Sequence, residues 1–299
     1  MAGATPVAGL DLWELATNTY KLNFPDAITY RMKASSLSPH RFLDEVGEID
    51  LLLASPECTN HSIARGNRPR SADSRNTAFE VIRFAKVLKS RWIVVENVLQ
   101  MKYWDRFVEW HKKLKAIGYK TDIGVLDAQY HGTPQSRRRL FIVGDLEAQP
   151  SLPERGRRTA KSVTSILGTG EPKSRPWQFS PVKTSTRAKA TLKRAKRAIN
   201  ALGEVPFIMV YYGSDYAGGY QTLDRPLRTV TTLDRFAYVR PNCAGHEMRM
   251  LQPPELAAGM GFPPEYKWPD SSRRDRIKLT GNAVCPPVMR DIVKRLVGR

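Results

Sequence analysis

Residues 51–66 read LLLASPECTNHSIARG. An apolar run introduced by Asp50 stops at Ser55-Pro56 and delivers a cysteine, Cys58, set among Glu57, Thr59, Asn60 and His61. An unbroken run of this length is the pattern of a strand buried on both faces, and proline ends it because it has no N–H for a ladder. Outward from this point the pattern alternates with helical periodicity. IDLLLAS (49–55) is followed by a helix expected over 77–90, WIVVENV (92–98) by one over 104–117, and then come KTDIGVLDA (120–128) and RLFIVG (139–144). Strand-helix-strand order with apolar strands predicts an α/β protein with a doubly wound, mostly parallel sheet. In such sheets ligands and catalytic groups collect beyond the carboxyl ends of the strands, where Pro56-Glu57-Cys58 and Glu96-Asn97-Val98 both fall.

The chain has 299 residues, with 48 Lys and Arg against 29 acids and a net charge of +19. Solubility requires far less, so a polyanionic partner is expected, nucleic acid first. Residues 154–198 hold thirteen Lys or Arg against two acids, and TRAKATLKRAKRAINAL (186–202) predicts a basic helix. PFIMVYY (206–212) and PLRTVTT (226–232) are expected strands of a second, smaller domain, and a last helix is expected over 287–297. The domains expected are a catalytic unit over 1–147, a small basic unit over 148–275, and a return to the catalytic unit over 276–299. Cys58, Cys243 and Cys285 form no CxxC pair and leave one thiol over from any disulfide, which argues against a disulfide scaffold or a zinc site. No run of eighteen apolar residues and no leader pattern occurs, so a cytoplasmic protein without a membrane span is expected.

Free cysteine is among the most buried residue types, so Cys58 alone reads as packing. Its neighbours change that reading. Glu96 closes a second strand, and GTPQSRRRLFIVG (132–144) sets Gln135, Arg137 and Arg139 alternately before a third. Cysteine, glutamate and arginines at one cleft suit addition to an electron-poor ring.

SPECTNHS, DSRNTAFEVIRFAKVL, ENV, LDAQYHGTPQSRRRLFIVG, RPLRTVTT, MLQPPELAAGMGFP and LTGNAVCPPV follow one another over most of the chain. In this order they resemble the DNA (cytosine-5)-methyltransferase family. The resemblance implies a Rossmann-like fold dependent on S-adenosylmethionine, with a target-recognition domain in the basic region. It also implies duplex DNA as partner and a cytosine flipped out of the stack. It makes Cys58 the nucleophile, Glu96 the acid toward N3, Arg139 the holder of O2, and Arg137 the residue that orients the loop. HSIARGNRPRS (61–71) resembles the closing loop, which with Gln135 puts Ser62 and Arg65 at the DNA, while Lys193, Arg194 and Arg197 of the basic helix are expected at phosphates. For the cofactor it implies Asp11 on the ribose, Trp13 near the adenine, Ala78 on the pocket wall, and Asn282 with Val284 near the methionine end.

Two departures stand out. Glu57 occupies the place before the nucleophile where the family usually has proline. VAGLDLWELATNTYKLNFPDA (7–27) resembles the family's second strand and following helix, and the glycine-rich loop expected ahead of it does not occur in the sequence. The expectation is weak binding of S-adenosylmethionine by this chain alone, or none, relieved by a complementing N-terminal segment or subunit, the protein being otherwise a monomer. A DNA-binding relative without catalysis and a tRNA cytosine-5 methyltransferase are the competing expectations.

Overall fold

A computed structural model describes residues 2–57, 72–154, 160–212 and 219–298, with backbone alone over 72–76. The chain opens with β1 (Ala8–Asp11), α1 (Glu14–Asn23), β2 (Ile28–Arg31) and α2 (Pro39–Val46). The start of α2 is set locally: Ser38 Oγ accepts from the Arg41 N–H, and Pro39 occupies the first turn. β3 (Leu51–Ala54), α3 (Ala72–Leu88), β4 (Trp92–Asn97), α4 (Phe107–Ala116), β5 (Lys120–Asp127) and β6 (Arg138–Asp145) follow.

The strands form a pair, β1-β2, and a sheet of four in the order β3-β4-β6-β5. β1 is parallel to β2 and β3 to β4, whereas β6 runs antiparallel to both β4 and β5. The short β5–β6 connection holds no helix that could cross the sheet, so the chain returns beside β5. Alternate residues of the central strands serve opposite faces. Ile93, Val95, Leu140 and Ile142 pack with Ala78, Val81 and Trp110 of α3 and α4, while Val94, Phe141 and Val143 enter a second core on the other side. Each such side chain, fully buried, contributes roughly 1.5–3 kcal/mol, which is why these two strands carry no polar residue before Glu96 or after Arg139 until Asp145.

Among the described residues β1 pairs with β2 alone and β3 with β4 alone, so each has an edge without a neighbouring strand. The two pieces share one helical layer. Ala8 and Leu10 of β1 and Leu52 of β3 pack on Tyr30, Leu37, Phe42, Phe84 and Leu88. Leu53, on the opposite face of β3, remains 48% exposed.

The second sheet contains β7 (Ser180–Pro181), β8 (Phe207–Val210), β9 (Tyr220–Thr222), β10 (Phe236–Asn242) and β11 (Gly245–Met250), ordered β7-β11-β10-β8-β9. The expected basic helix is α5 (Lys189–Leu202), which sets Ala195 and Ala198 against Phe207, Met209, Ala237 and Val239. The other face of this sheet does not close a core of its own. Ile208, Val210 and Phe236 join Val94, Phe141, Val288 and Ile292 in the shared core. The chain ends with α6 (Pro253–Met260), α7 (Arg273–Asn282) and α8 (Pro286–Val297). The boundary expected at 275/276 therefore falls inside α7.

Residues 226–232, read as a strand for their β-branched content, are instead an extended tie. Leu227 makes a single parallel bridge to Gln135, its N–H donates to the Pro134 carbonyl, and its own carbonyl accepts from Ser136.

Candidate active site

The last backbone pair of β3 and β4 is Ala54 with Val95. Pro56 cannot donate, and side chains take over from the ladder. Ser55 Oγ donates to Glu96 Oε2 at 3.0 Å, and Asn97 Nδ2 donates to the Pro56 carbonyl at 3.1 Å. Asn97 Oδ1 meanwhile accepts from the Val98 N–H at 2.9 Å, which fixes the amide orientation. The chain is thus anchored at Pro56, while Glu57, directly before Cys58, is exposed. Cys58, Ser62 and Arg65 lie outside the described residues.

Glu96 is 8% exposed, and its second oxygen, Oε1, lies 3.2 Å from Arg139 Nε at the start of β6. Arg139 also donates from a terminal nitrogen to the Arg138 carbonyl. A charge-assisted contact that is mostly buried is stronger than one fully in water. Arg137 is buried and spans three segments: its terminal nitrogens donate to the carbonyls of Val230 at 2.8 Å, Gly281 at 2.9 Å and Ala283 at 3.1 Å. The 226–232 tie and the turn after α7 are thereby fastened to the start of β6. Sequence reasoning misses this fastening, since nothing in RPLRTVTT announces a carbonyl aimed at a distant guanidinium.

Gln135 is a correction. Expected at the DNA, it is fully buried; Nε2 donates to the Gly259 carbonyl at 3.1 Å, and Oε1 accepts from the Val230 N–H at 2.8 Å. It ties segments together and has no surface to offer a base. Ala78, expected on the pocket wall, lies in the core of α3, α4 and β4, 2% exposed, and its carbonyl accepts from the Trp110 indole at 2.7 Å.

Glu96, Arg137, Arg139, Val284, Cys285 and Val288 line one crevice, with Ala128 and Phe141 behind. Burial pushes the Cys285 thiol up to about 11, with the nearby Arg137 and Arg139 guanidinium groups opposing that shift. At neutral pH it is a protonated packing group whose sulfur lies 3.8 Å from that of Met260. Cys243 sits exposed in the β10–β11 turn. Neither is placed as a thiolate in the crevice.

Asp11 is exposed at the carboxyl end of β1, and its Oδ1 accepts from the Trp13 N–H at 2.7 Å, so the acid also shapes the entry to α1. Trp13 is half-buried with the Lys278 ammonium 4.1 Å from its ring centre. Lys278 belongs to α7, the helix that ends at exposed Asn282 and leads to Val284 of the crevice. One helix therefore touches the β1 end and reaches the Glu96 end. A carboxylate and an aromatic ring at a parallel strand's carboxyl end suit a ribose and a purine, so these residues fit part of an S-adenosylmethionine site. Lys278 escapes sequence reasoning because a lone lysine in a basic chain carries no signal.

On α5, Lys189, Lys193 and Lys196 are exposed and Arg197 is half-buried. Arg194 lies over the Tyr211 ring at 5.3 Å, with its stem against Gly219, and is held as packing more than as a free cation. Among the described residues no cluster of three or more His, Cys, Asp or Glu side chains is placed to hold a metal, and no helix is long and apolar enough to cross a membrane.

The mixed sheet thus carries Glu96, Arg137 and Arg139 at its strand ends and packs against a second sheet backed by the basic helix α5. Residues 1–298 match the family described as C-5 cytosine-specific DNA methylase, and the chain belongs to that family. It is 33% identical over 155 residues to the Type II methyltransferase M.DdeI of Desulfomicrobium norvegicum, a match covering 48% of this chain and 36% of that protein. It is 29% identical over 313 residues to M1.BsuMI of Bacillus subtilis, covering 92% of the chain and 69% of that relative. With M.DdeI and several other relatives, the match thus spans under half of their length. The fold is that of the S. pombe Dnmt2 methyltransferase (TM-score 0.69, 16% identity, 99% and 91% of the two chains) and of Entamoeba histolytica EhMeth (0.69, 14%, 97% and 89%).

Proposed function

We propose that the protein transfers a methyl group from S-adenosylmethionine to carbon 5 of cytosine in duplex DNA. The observation that carries this reading is the Ser55–Glu96–Arg139 cluster at the ends of β3, β4 and β6, with Cys58 next along the chain from Glu57. Carbon 5 is a poor nucleophile until a thiolate adds at carbon 6 and converts the ring to an enamine, the step assigned to Cys58. As charge builds toward N3 and O2, Glu96 in its protonated form donates to N3 and the Arg139 fork moves from Glu96 to O2. Arg137 holds the start of β6 still while Arg139 moves. Bound S-adenosylmethionine supplies the electrophilic methyl group. Loss of the carbon 5 proton and expulsion of the thiolate restore the aromatic ring.

A stacked base is out of reach of the thiol, so the cytosine must flip; Ser62 and Arg65 are assigned to the DNA on either side of it, and the lysine face of α5 to phosphates. Asp11, Trp13, Asn282 and Val284 are assigned to the cofactor. The edges of β1 and β3, unpaired among the described residues, and the exposed Leu53 support a complementing strand-loop-helix segment alongside them, about thirty residues as in one such unit.

Incubation with duplex DNA and methyl-labelled S-adenosylmethionine, followed by nucleoside analysis, tests this. Labelled 5-methylcytosine is expected in DNA and not in tRNA, with the yield rising when the strand-loop-helix peptide is added. Retention of DNA without label in either mixture would leave a binding protein, and label in tRNA alone would move the substrate to RNA.

A further inference from the structure

We propose that Ser55 is a positioning residue for Glu96, selecting which carboxyl oxygen faces the base. The proposal rests on the function proposed above. Ser55 and Glu96 occupy the register position after the last backbone pair, where partners on neighbouring strands present their side chains side by side. Ser55 is exposed, so burial does not oblige its hydroxyl to find a protein partner, yet that hydroxyl donates to Glu96 Oε2. Arg139 holds Oε1. Both oxygens are thus engaged before any base arrives. Once Arg139 turns to the ring, the Ser55 bond is what stops the carboxyl group from rotating, and because Oε2 accepts from Ser55, the proton destined for N3 sits on Oε1. The Asn97 bond to the Pro56 carbonyl keeps Ser55 in register.

Exchange of the carbon 5 hydrogen in heavy water reads this step without the cofactor. The Cys58 thiolate adds at carbon 6 while Glu96 protonates N3. Carbon 5 of the enamine then takes a deuteron from solvent as N3 returns its proton to Glu96. Loss of the original carbon 5 proton and expulsion of the thiolate give back cytosine with one hydrogen exchanged. Ser55→Ala should slow this exchange on the order of ten- to a hundred-fold, the range for a hydrogen bond to a charged group, without weakening DNA binding. Ser55→Thr, which keeps the hydroxyl, should restore most of the rate. In a Glu96→Gln background, Ser55→Ala should cost nothing further, because its effect passes through the acid. A full additional loss in that background, or a folded alanine variant exchanging at the normal rate, would overturn the role of Ser55. Absence of exchange in the unaltered protein would instead remove the catalytic reading, and this role with it.

Discussion

At the β4 end, Glu96 is buried with both oxygens engaged, beside an exposed Ser55, and Arg137 behind it is bonded to three carbonyls. At the β1 end, Asp11 stands in solvent beside a Trp13 ring covered by a lysine, on a strand with one open edge. Both places hold an acid and a cation, but the acid is buried in one and exposed in the other, so water screens the second more. On the function proposed above, the base chemistry would act by itself, while the cofactor side would gain its grip from what is added to it. A chain made this way should separate the two functions experimentally.

Glu96→Gln is the sharpest cut on the closed side. The amide keeps the size but cannot give N3 a proton, so methyl transfer should fall on the order of 10²–10⁴-fold with DNA affinity retained. A normal rate would make Glu96 structural. Arg137→Met comes next, since it leaves the carbonyls of Val230, Gly281 and Ala283 to find other partners. Urea unfolding should show a loss of about 2–4 kcal/mol, from buried acceptors left unpaired. A loss of only about a few tenths of a kcal/mol would mean that water replaces the guanidinium and that the site is wetter than its burial indicates.

The smallest effect is expected on the outer face. Reversing Lys189, Lys193 and Lys196 to glutamate should weaken binding of all duplexes alike and reduce the salt dependence by roughly one unit of slope for each phosphate no longer neutralised. An unaltered slope would make the α5 surface merely solvated.

Much of the closed side is legible in the sequence because the chemistry there follows strands whose apolar runs are unambiguous. LLLA and WIVVE fix their own carboxyl ends, which places Glu96 by pattern, but Arg139 at the start of β6 reaches that edge only because β6 runs antiparallel to β4, which the expected parallel sheet does not foresee. Polarity misleads at Gln135. Like Arg137 two positions on, it is buried and bonded to Val230, so a polar side chain ahead of β6 ties segments together and does not face a base. The run at 226–232 misleads in the opposite sense, because β-branched residues suit any extended backbone, including one with a single bridge. Strand periodicity would bury Leu53 with the rest of its strand; its exposure depends on what stands beside β3, which periodicity does not encode. The contact of Lys278 with Trp13 is a product of the whole fold, and composition offers no trace of it.

The central claim is that Cys58 attacks carbon 6 of a cytosine in duplex DNA, and carbon 5 hydrogen exchange in heavy water tests it without calling on the cofactor side. Mass spectrometry of recovered nucleosides should show deuterium in cytosine after incubation with the unaltered protein, and none above background with Cys58→Ser, while both proteins bind the duplex equally. Exchange at the normal rate by the serine variant would contradict the account and place the nucleophile elsewhere.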